Sequence, residues 1–187
     1  MKVVLFILIG FGIVHHVNAL PVRPGADFLR PGTMSLAGAV KAPLSFDTMG
    51  HTSLGLEFTP EWSYFPLRGF EFSIGLLLAG GIAAEPIEYQ QYGPLRWGAK
   101  FGTRYYFDVG QIFFPFVGVS FGADIVSNFV QSFHFWVEIP AGLLIMLNEH
   151  VGLQVGAPLK INVVPPLRLG VGRFEWTPGY LGVQAFF

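Results

Sequence analysis

The sequence predicts an all-β fold: an eight-stranded antiparallel up-and-down transmembrane β-barrel, preceded by a cleavable signal peptide. Three observations predict it. Hydrophobic residues make up 52% of the chain and charged residues only 12%, about half the ~25% charged share of a soluble domain. Apolar and polar residues alternate with a period of two in one segment after another, the signature of strands with two unlike faces. No apolar run reaches the ~20 residues a membrane-spanning helix needs. A chain this hydrophobic must then bury its apolar surface in a core or turn it to lipid as a closed sheet.

The N-terminus reads as a sorting signal. Lys2 supplies a positive charge, Val3 to Val14 an apolar core, and Val17-Asn18-Ala19 a small-residue cleavage pattern. Residues 1–19 are therefore expected to be removed, 20–31 to form a lead-in, and 32–187 to form the barrel. An uncleaved anchor is the competing reading, and the apolar run is short for it. Further on, Ile74 to Ala84 contains Gly75, Gly80 and Gly81, and Ile112 to Ala123 is interrupted by Pro115. Cysteine is absent, which excludes disulfides and thiolate metal sites. The net charge of −1 gives no reason to expect nucleic acid as a partner.

Eight segments alternate. In Thr33 to Lys41, Met34, Leu36 and Val40 oppose Thr33, Ser35 and Lys41. In Ser53 to Thr59, Leu54, Leu56 and Phe58 oppose Ser53, Glu57 and Thr59. Phe70 to Ala79 sets Phe72, Ile74, Leu76 and Leu78 against Glu71, Ser73 and Gly75. Leu95 to Tyr106 has the clearest contrast, with Leu95, Trp97, Phe101 and Tyr105 on one face and Arg96, Lys100 and Arg104 on the other, spaced by Gly98 and Gly102. Phe113 to Asp124 turns Phe113, Val117, Val119 and Phe121 one way and Gly118, Ser120, Gly122 and Asp124 the other. Ser132 to Met146, Val151 to Lys160 and Gly179 to Phe187 complete the set. Several approach the ~9–11 residues a tilted strand uses to cross a bilayer.

Connections differ in length. Asp108 to Gln111 and Asn148 to His150 read as tight turns, whereas Ala83 to Pro94 and Ile161 to Glu175 read as long loops. Short turns on one side and long loops on the other are expected of an outer-membrane barrel. The Pro60 to Gly69 link is longer than a short-turn side predicts.

The signal peptide, the eight alternating strands, the lack of cysteine and the terminal phenylalanine together resemble the small eight-stranded outer-membrane barrels of Gram-negative bacteria, the OmpA/OmpX type. The resemblance covers the chain from about Pro31 onward and is one of architecture, without a subfamily motif. It implies a bacterial outer-membrane location, a monomer, and outer-membrane lipid and the barrel-assembly machinery as partners. The final Gly179-Tyr180-Leu181-Gly182-Val183-Gln184-Ala185-Phe186-Phe187 looks like the C-terminal assembly signal of that class, with Phe187 as its key residue.

An eight-stranded barrel is just wide enough for its own side chains to fill. The inward set is Lys41, Arg96, Lys100, Arg104 and Lys160 against Glu57, Glu71, Asp124 and Glu138. Buried charges are costly unless paired, so near balance predicts internal ion pairs rather than a selective pore. Inward Phe114, Phe116, Trp136 and Met146 also predict a plugged lumen. Facing residues of a hairpin have indices summing to about twice the turn centre. That rule sets Arg96 opposite Asp124 and Arg104 near Glu71. With the turn centred in Pro60–Gly69 it also places Glu57 beside Glu71. A Glu57–Arg104–Glu71 cluster is therefore expected, with Lys100 and Glu138 as a further charge set.

Ser132, His134 and Glu138 share the inward face and could in principle support acyl transfer. Residues two apart on a strand are about 7 Å apart, at roughly 3.3 Å per residue, far for a nucleophile and its base. The resemblance includes lipid A deacylases, but their His-x-Ser-Asn pattern is absent. A hydrogen-bonded polar lining is the plainer reading. Gly170-Val171-Gly172 lacks the context of a nucleotide loop, and His51, His134 and His150 show no metal-ligand spacing. No cofactor is expected. The main reading is a structural or surface-interaction barrel whose long loops meet an unidentified extracellular ligand. A narrow, porin-like channel for small or hydrophobic solutes and a lipid A-modifying acyl hydrolase or transferase are the alternatives.

Overall fold

The computed structural model describes residues 26–47, 52–83, 95–110, 112–127, 132–163, 173–177 and 179–187. The expected signal peptide and cleavage site lie outside these residues, as do His51, Gly170 and Gly172.

The alternating segments form eight antiparallel strands: β1 (Met34–Lys41 and Leu44–Asp47), β2 (Thr52–Leu67), β3 (Phe70–Ala83), β4 (Leu95–Tyr106), β5 (Phe113–Ser127), β6 (Ser132–Ile139 and Ala141–Met146), β7 (Val151–Gly156 and Leu159–Val163) and β8 (Arg173–Trp176 and Tyr180–Phe186). Each pairs with its chain neighbours, and β1 pairs with both β2 and β8, so the sheet closes on itself. Closure leaves no unpaired edge, the condition for placing a sheet in hydrocarbon.

The two faces separate as the period of two requires. Outward side chains include Leu36, Leu56, Ile74, Phe101, Phe135 and Leu181, all exposed. Inward ones are buried and mostly polar or charged. A cavity of about 930 Å³ is lined by both faces of the strands, with Trp62, Phe101 and Phe121 from the outward set and Glu61, Lys100 and Trp136 from the inward one.

Where strands break, proline is the cause. Gly55 N–H donates to Pro43 O (3.0 Å), Gly118 N–H to Pro140 O (2.9 Å) and Thr177 N–H to Pro158 O (3.3 Å). None of the three prolines can return the bond, because proline has no N–H. β8 also carries a bulge. Tyr180 pairs with Gly156 but Trp176 with Leu159, so three residues of β8 face two of β7. The extra residue reverses the alternation above the bulge, which explains why the pattern read from sequence stops at Gly179. The predicted loop Ile161 to Glu175 accordingly shrinks, its ends Ile161–Val163 and Arg173–Glu175 being strand.

The largest correction concerns Pro60 to Gly69. This is not a link: β2 runs on to Leu67, and only Arg68 and Gly69 turn the chain. Gly69 has φ +70°, and a Cβ there would lie 2.8 Å from Tyr106 O, so the turn needs glycine on two counts. Pro60 faces outward and interrupts the ladder without ending the strand.

The predicted lead-in also has a structured end. Asp27–Leu29 is one turn of 3-10 helix, with Phe28 and Leu29 fully buried. It lies at the end of the barrel that holds the short turns and the start of β1.

Inward glycines make room for large neighbours. A Cβ on Gly122 would overlap the Trp136 indole, and one on Gly118 would sit 3.0 Å from Arg104 Cγ. Gly122→Leu is expected to destabilise the barrel by about 1–3 kcal/mol, the usual cost of overpacking. Gly80→Leu, with nothing within 4 Å of the added Cβ, should be nearly silent. Denaturant unfolding in lipid vesicles reads both.

Candidate functional site

The lumen is the site that strand geometry builds. Each cation is carried inward by the alternation of its strand, and each finds an anion on a nearby strand or across the barrel. The layers run from one end to the other.

At the short-turn end an aromatic and amide layer surrounds Glu71. The Tyr106 hydroxyl donates to Glu71 Oε2 (2.9 Å), and Gln184 Nε2 donates to Glu71 Oε1 (2.9 Å) and Ser35 Oγ (2.7 Å). Gln154 joins through Tyr106 and Gln184. Above this layer, Arg104 is paired with Glu61 and lies 3.5 Å from Glu71, while Lys100 is also paired with Glu61. Higher still, Lys41 Nζ is 2.7 Å from Glu138 and 3.4 Å from Glu57, and Lys160 Nζ is 3.2 Å from Glu57. Lys160 also lies over the Trp136 ring, 4.5 Å from its centroid. Near the far end Arg96 Nη2 is 2.6 Å from Asp124 Oδ2, and His134 Nδ1 is 3.6 Å from Asp124 Oδ1.

The geometry corrects two of the predicted groupings. Arg104 does bridge two carboxylates, and they are Glu61 and Glu71 instead of Glu57 and Glu71. Glu57 is opposite Ala79 in the ladder and bonds to Lys41 and Lys160. The reason is the turn: with its centre at Arg68–Gly69, the β2–β3 register slides by eight positions in the index sum, so Glu57 moves away from Glu71, and Glu61, opposite Gly75, is the carboxylate that reaches Arg104. Lys100 and Glu138 likewise bond elsewhere, to Glu61 and Lys41. Glu71 and Arg104 are direct ladder partners. Arg96 reaches Asp124 diagonally, since Asp124 stands opposite Gly98.

Glu61 is the functional residue the sequence reading missed. The signal was available, because Glu57, Thr59, Glu61, Ser63 and Phe65 continue one odd-numbered inward row. With Glu61 included, the described lumen cations and anions balance one for one. Fully buried charges survive in such numbers only when each is paired.

His134 and Glu138 do not form a catalytic set with each other: His134 faces Asp124 and Glu138 faces Lys41. The Ser132 side chain lies outside the described ones. Among the described residues no group of three or more His, Asp or Glu side chains is arranged to hold a metal ion.

No protein-family model and no curated protein matches the sequence. Solved structures do match in shape. Neisserial surface protein A superposes with a TM-score of 0.62 at 15% identity, covering 82% of this chain and 96% of that one. Ail, the attachment invasion locus protein of Yersinia pestis, gives 0.51 at 12% identity, covering 84% and 99%. The outer-membrane enzyme PagL gives 0.50 at 16% identity, covering 80% and 97%. The chain has the fold of the small eight-stranded outer-membrane β-barrels. The exposed apolar belt of this barrel is the surface that such a fold presents to lipid. A surface protein, an attachment protein and an enzyme share the architecture, so the role belongs to the site and not to the fold.

Proposed function

We propose that the protein is a closed outer-membrane barrel that acts by displaying its long loops at the cell surface, where they meet an extracellular ligand. The observation that carries this reading is the lumen: from Glu71 to Asp124 it is crossed by successive layers of paired, buried side chains. A pathway for solutes would require those buried pairs to be pulled apart, at several kcal/mol each. The strand ends that flank segments 84–94 and 164–172 lie at the end of the barrel opposite the short turns.

Two measurements test this. Conductance of the purified protein in planar bilayers should stay at background. Trimming 84–94 and 164–172 to short Gly/Ser turns should leave folding intact, yet reproduce in the native host the phenotype of removing the whole protein. A trimmed barrel that restores the normal phenotype would overturn the reading. Expression should also leave lipid A masses unchanged, and a shift lost with His134→Ala would favour an acyl-transfer enzyme instead.

Assembly belongs to the same proposal. Phe187 projects outward beside Met34, with Met34 N–H donating to Phe187 O (2.9 Å) and Phe187 N–H to Met34 O (3.0 Å). An exposed terminal aromatic at the closing seam is accessible to the assembly machinery while the strand is still unpaired. Deleting Phe187 is expected to cut the amount of heat-modifiable, folded protein in the outer membrane. Unchanged levels would count against the assembly role.

A further inference from the structure

Phe28 occupies a box of aromatic rings supplied by four different strands. Its ring centroid is 4.8 Å from Phe114, 4.6 Å from Phe186, 6.0 Å from Tyr106 and 6.2 Å from Phe65, and three of the four contacts are edge-to-face. Edge-to-face geometry is the preferred one for such pairs, worth more than area burial alone. The four rings come from β5, β8, β4 and β2, so the box spans the mouth of the barrel from wall to wall. Phe28 is 2% exposed and Leu29 1%.

The segment is held as well as packed. Gly69 N–H donates to Leu29 O (3.1 Å), Gly32 N–H to Phe65 O (2.8 Å) and Phe65 N–H to Thr33 O (2.9 Å). These bonds tie it to the β2–β3 turn and to the last residues of β2. Directly above lies the polar layer of Ser35, Gln154, Gln184 and Glu71, each 2% exposed or less. Polar side chains so close to an open mouth would normally be wet.

We propose that residues 26–32 are a stopper docked in cis, and that the aromatic box of Phe65, Tyr106, Phe114 and Phe186 is its receptor site. The stopper seals the short-turn end, which is the periplasmic end in this fold. The lumen is then a blind cup, reachable from the loop side alone and only as far as the half-exposed His134. This goes beyond the loop-display reading and does not depend on what the loops bind.

Because the chain has no cysteine of its own, single thiols can be read cleanly. Ser35→Cys places a thiol just inside the stopper, and His134→Cys places one at the loop-side mouth. Both are exposed to a small, membrane-impermeant thiol reagent, with the full-length protein folded in detergent micelles so that both ends are open to solvent. The His134→Cys thiol should react readily and the Ser35→Cys thiol slowly. Adding Phe28→Ala should raise the Ser35→Cys rate by at least about tenfold, equivalent to about 1.4 kcal/mol of sealing free energy, and leave the His134→Cys rate unchanged. Phe28→Leu, which keeps most of the volume, should give a smaller rise and serves if the alanine variant fails to fold. Rapid labelling of Ser35→Cys behind an intact Phe28 would overturn the proposal. So would folded Phe28 variants that label no faster than the parent.

Discussion

Arg104→Ala is expected to destabilise the barrel by about 3–5 kcal/mol, the range for removing one partner from a buried ion pair. Arg104 is 5% exposed and bridges the Glu61 and Glu71 carboxylates. Its loss leaves Glu61 to Lys100 and leaves Glu71, among the described residues, to the Tyr106 hydroxyl and the Gln184 amide. Arg104→Lys should recover part of the loss and not all of it, because an ammonium lacks the planar fork that meets two carboxylates at once. Glu57→Gln should leave the Arg104 effect intact, since Glu57 bonds to Lys41 and Lys160. Equilibrium unfolding in urea, with protein refolded into lipid vesicles, measures each variant. A loss below about 1 kcal/mol for Arg104→Ala, the scale of an exposed pair, would mean that the cluster is solvated and the lumen wet.

On the opposite face of the same strand, Phe101→Arg is expected to cost about 2–4 kcal/mol, the penalty for a cation facing lipid near the bilayer midplane. Phe101 lies in the middle of β4, is 61% exposed, and stacks on Phe121 of β5 at 5.5 Å between centroids. Phe101→Leu should cost much less, because it keeps the surface apolar and gives up only the ring contact. That pair of variants separates a lipid-facing position from a merely packed one. Gly98 is a poor lumen-side control, since any Cβ there would stand 2.7 Å from the Asp124 Cβ. Ser120, inward and 3% exposed, is the better one. If Phe101→Arg and Phe101→Leu are equally mild in vesicles, the outward face does not meet hydrocarbon.

Much of the architecture was legible in the residues because alternation is a local property of extended backbone. Which side chains of Leu95–Tyr106 face lipid follows from their parity alone, and the same holds for Phe113–Asp124. Partners across the lumen are another matter. They depend on register, and register depends on where a turn is centred. Arg68–Gly69 makes the turn after β2 in two residues, whereas the sequence reads the whole of Pro60 to Gly69 as a link. That displacement left Glu61 out of the inward row and gave its role as partner of Arg104 to Glu57. The register offset between Trp176 and Tyr180 hid the outer part of β8 in the same way, because one extra residue reverses the alternation that sequence reading relies on.

Residues 26–32 had no periodic signal at all. A single 3-10 turn buries Phe28 and Leu29 only because four strands distant in sequence converge on one mouth. What the sequence determined by itself was the fold class and the facing of each strand, since both are set by the backbone's period of two and by the need to satisfy every peptide group in hydrocarbon. What only the tertiary structure decided was which charge meets which and what closes the mouth. Those are contacts between residues as far apart in the chain as Phe28 and Phe186, and no local pattern carries them.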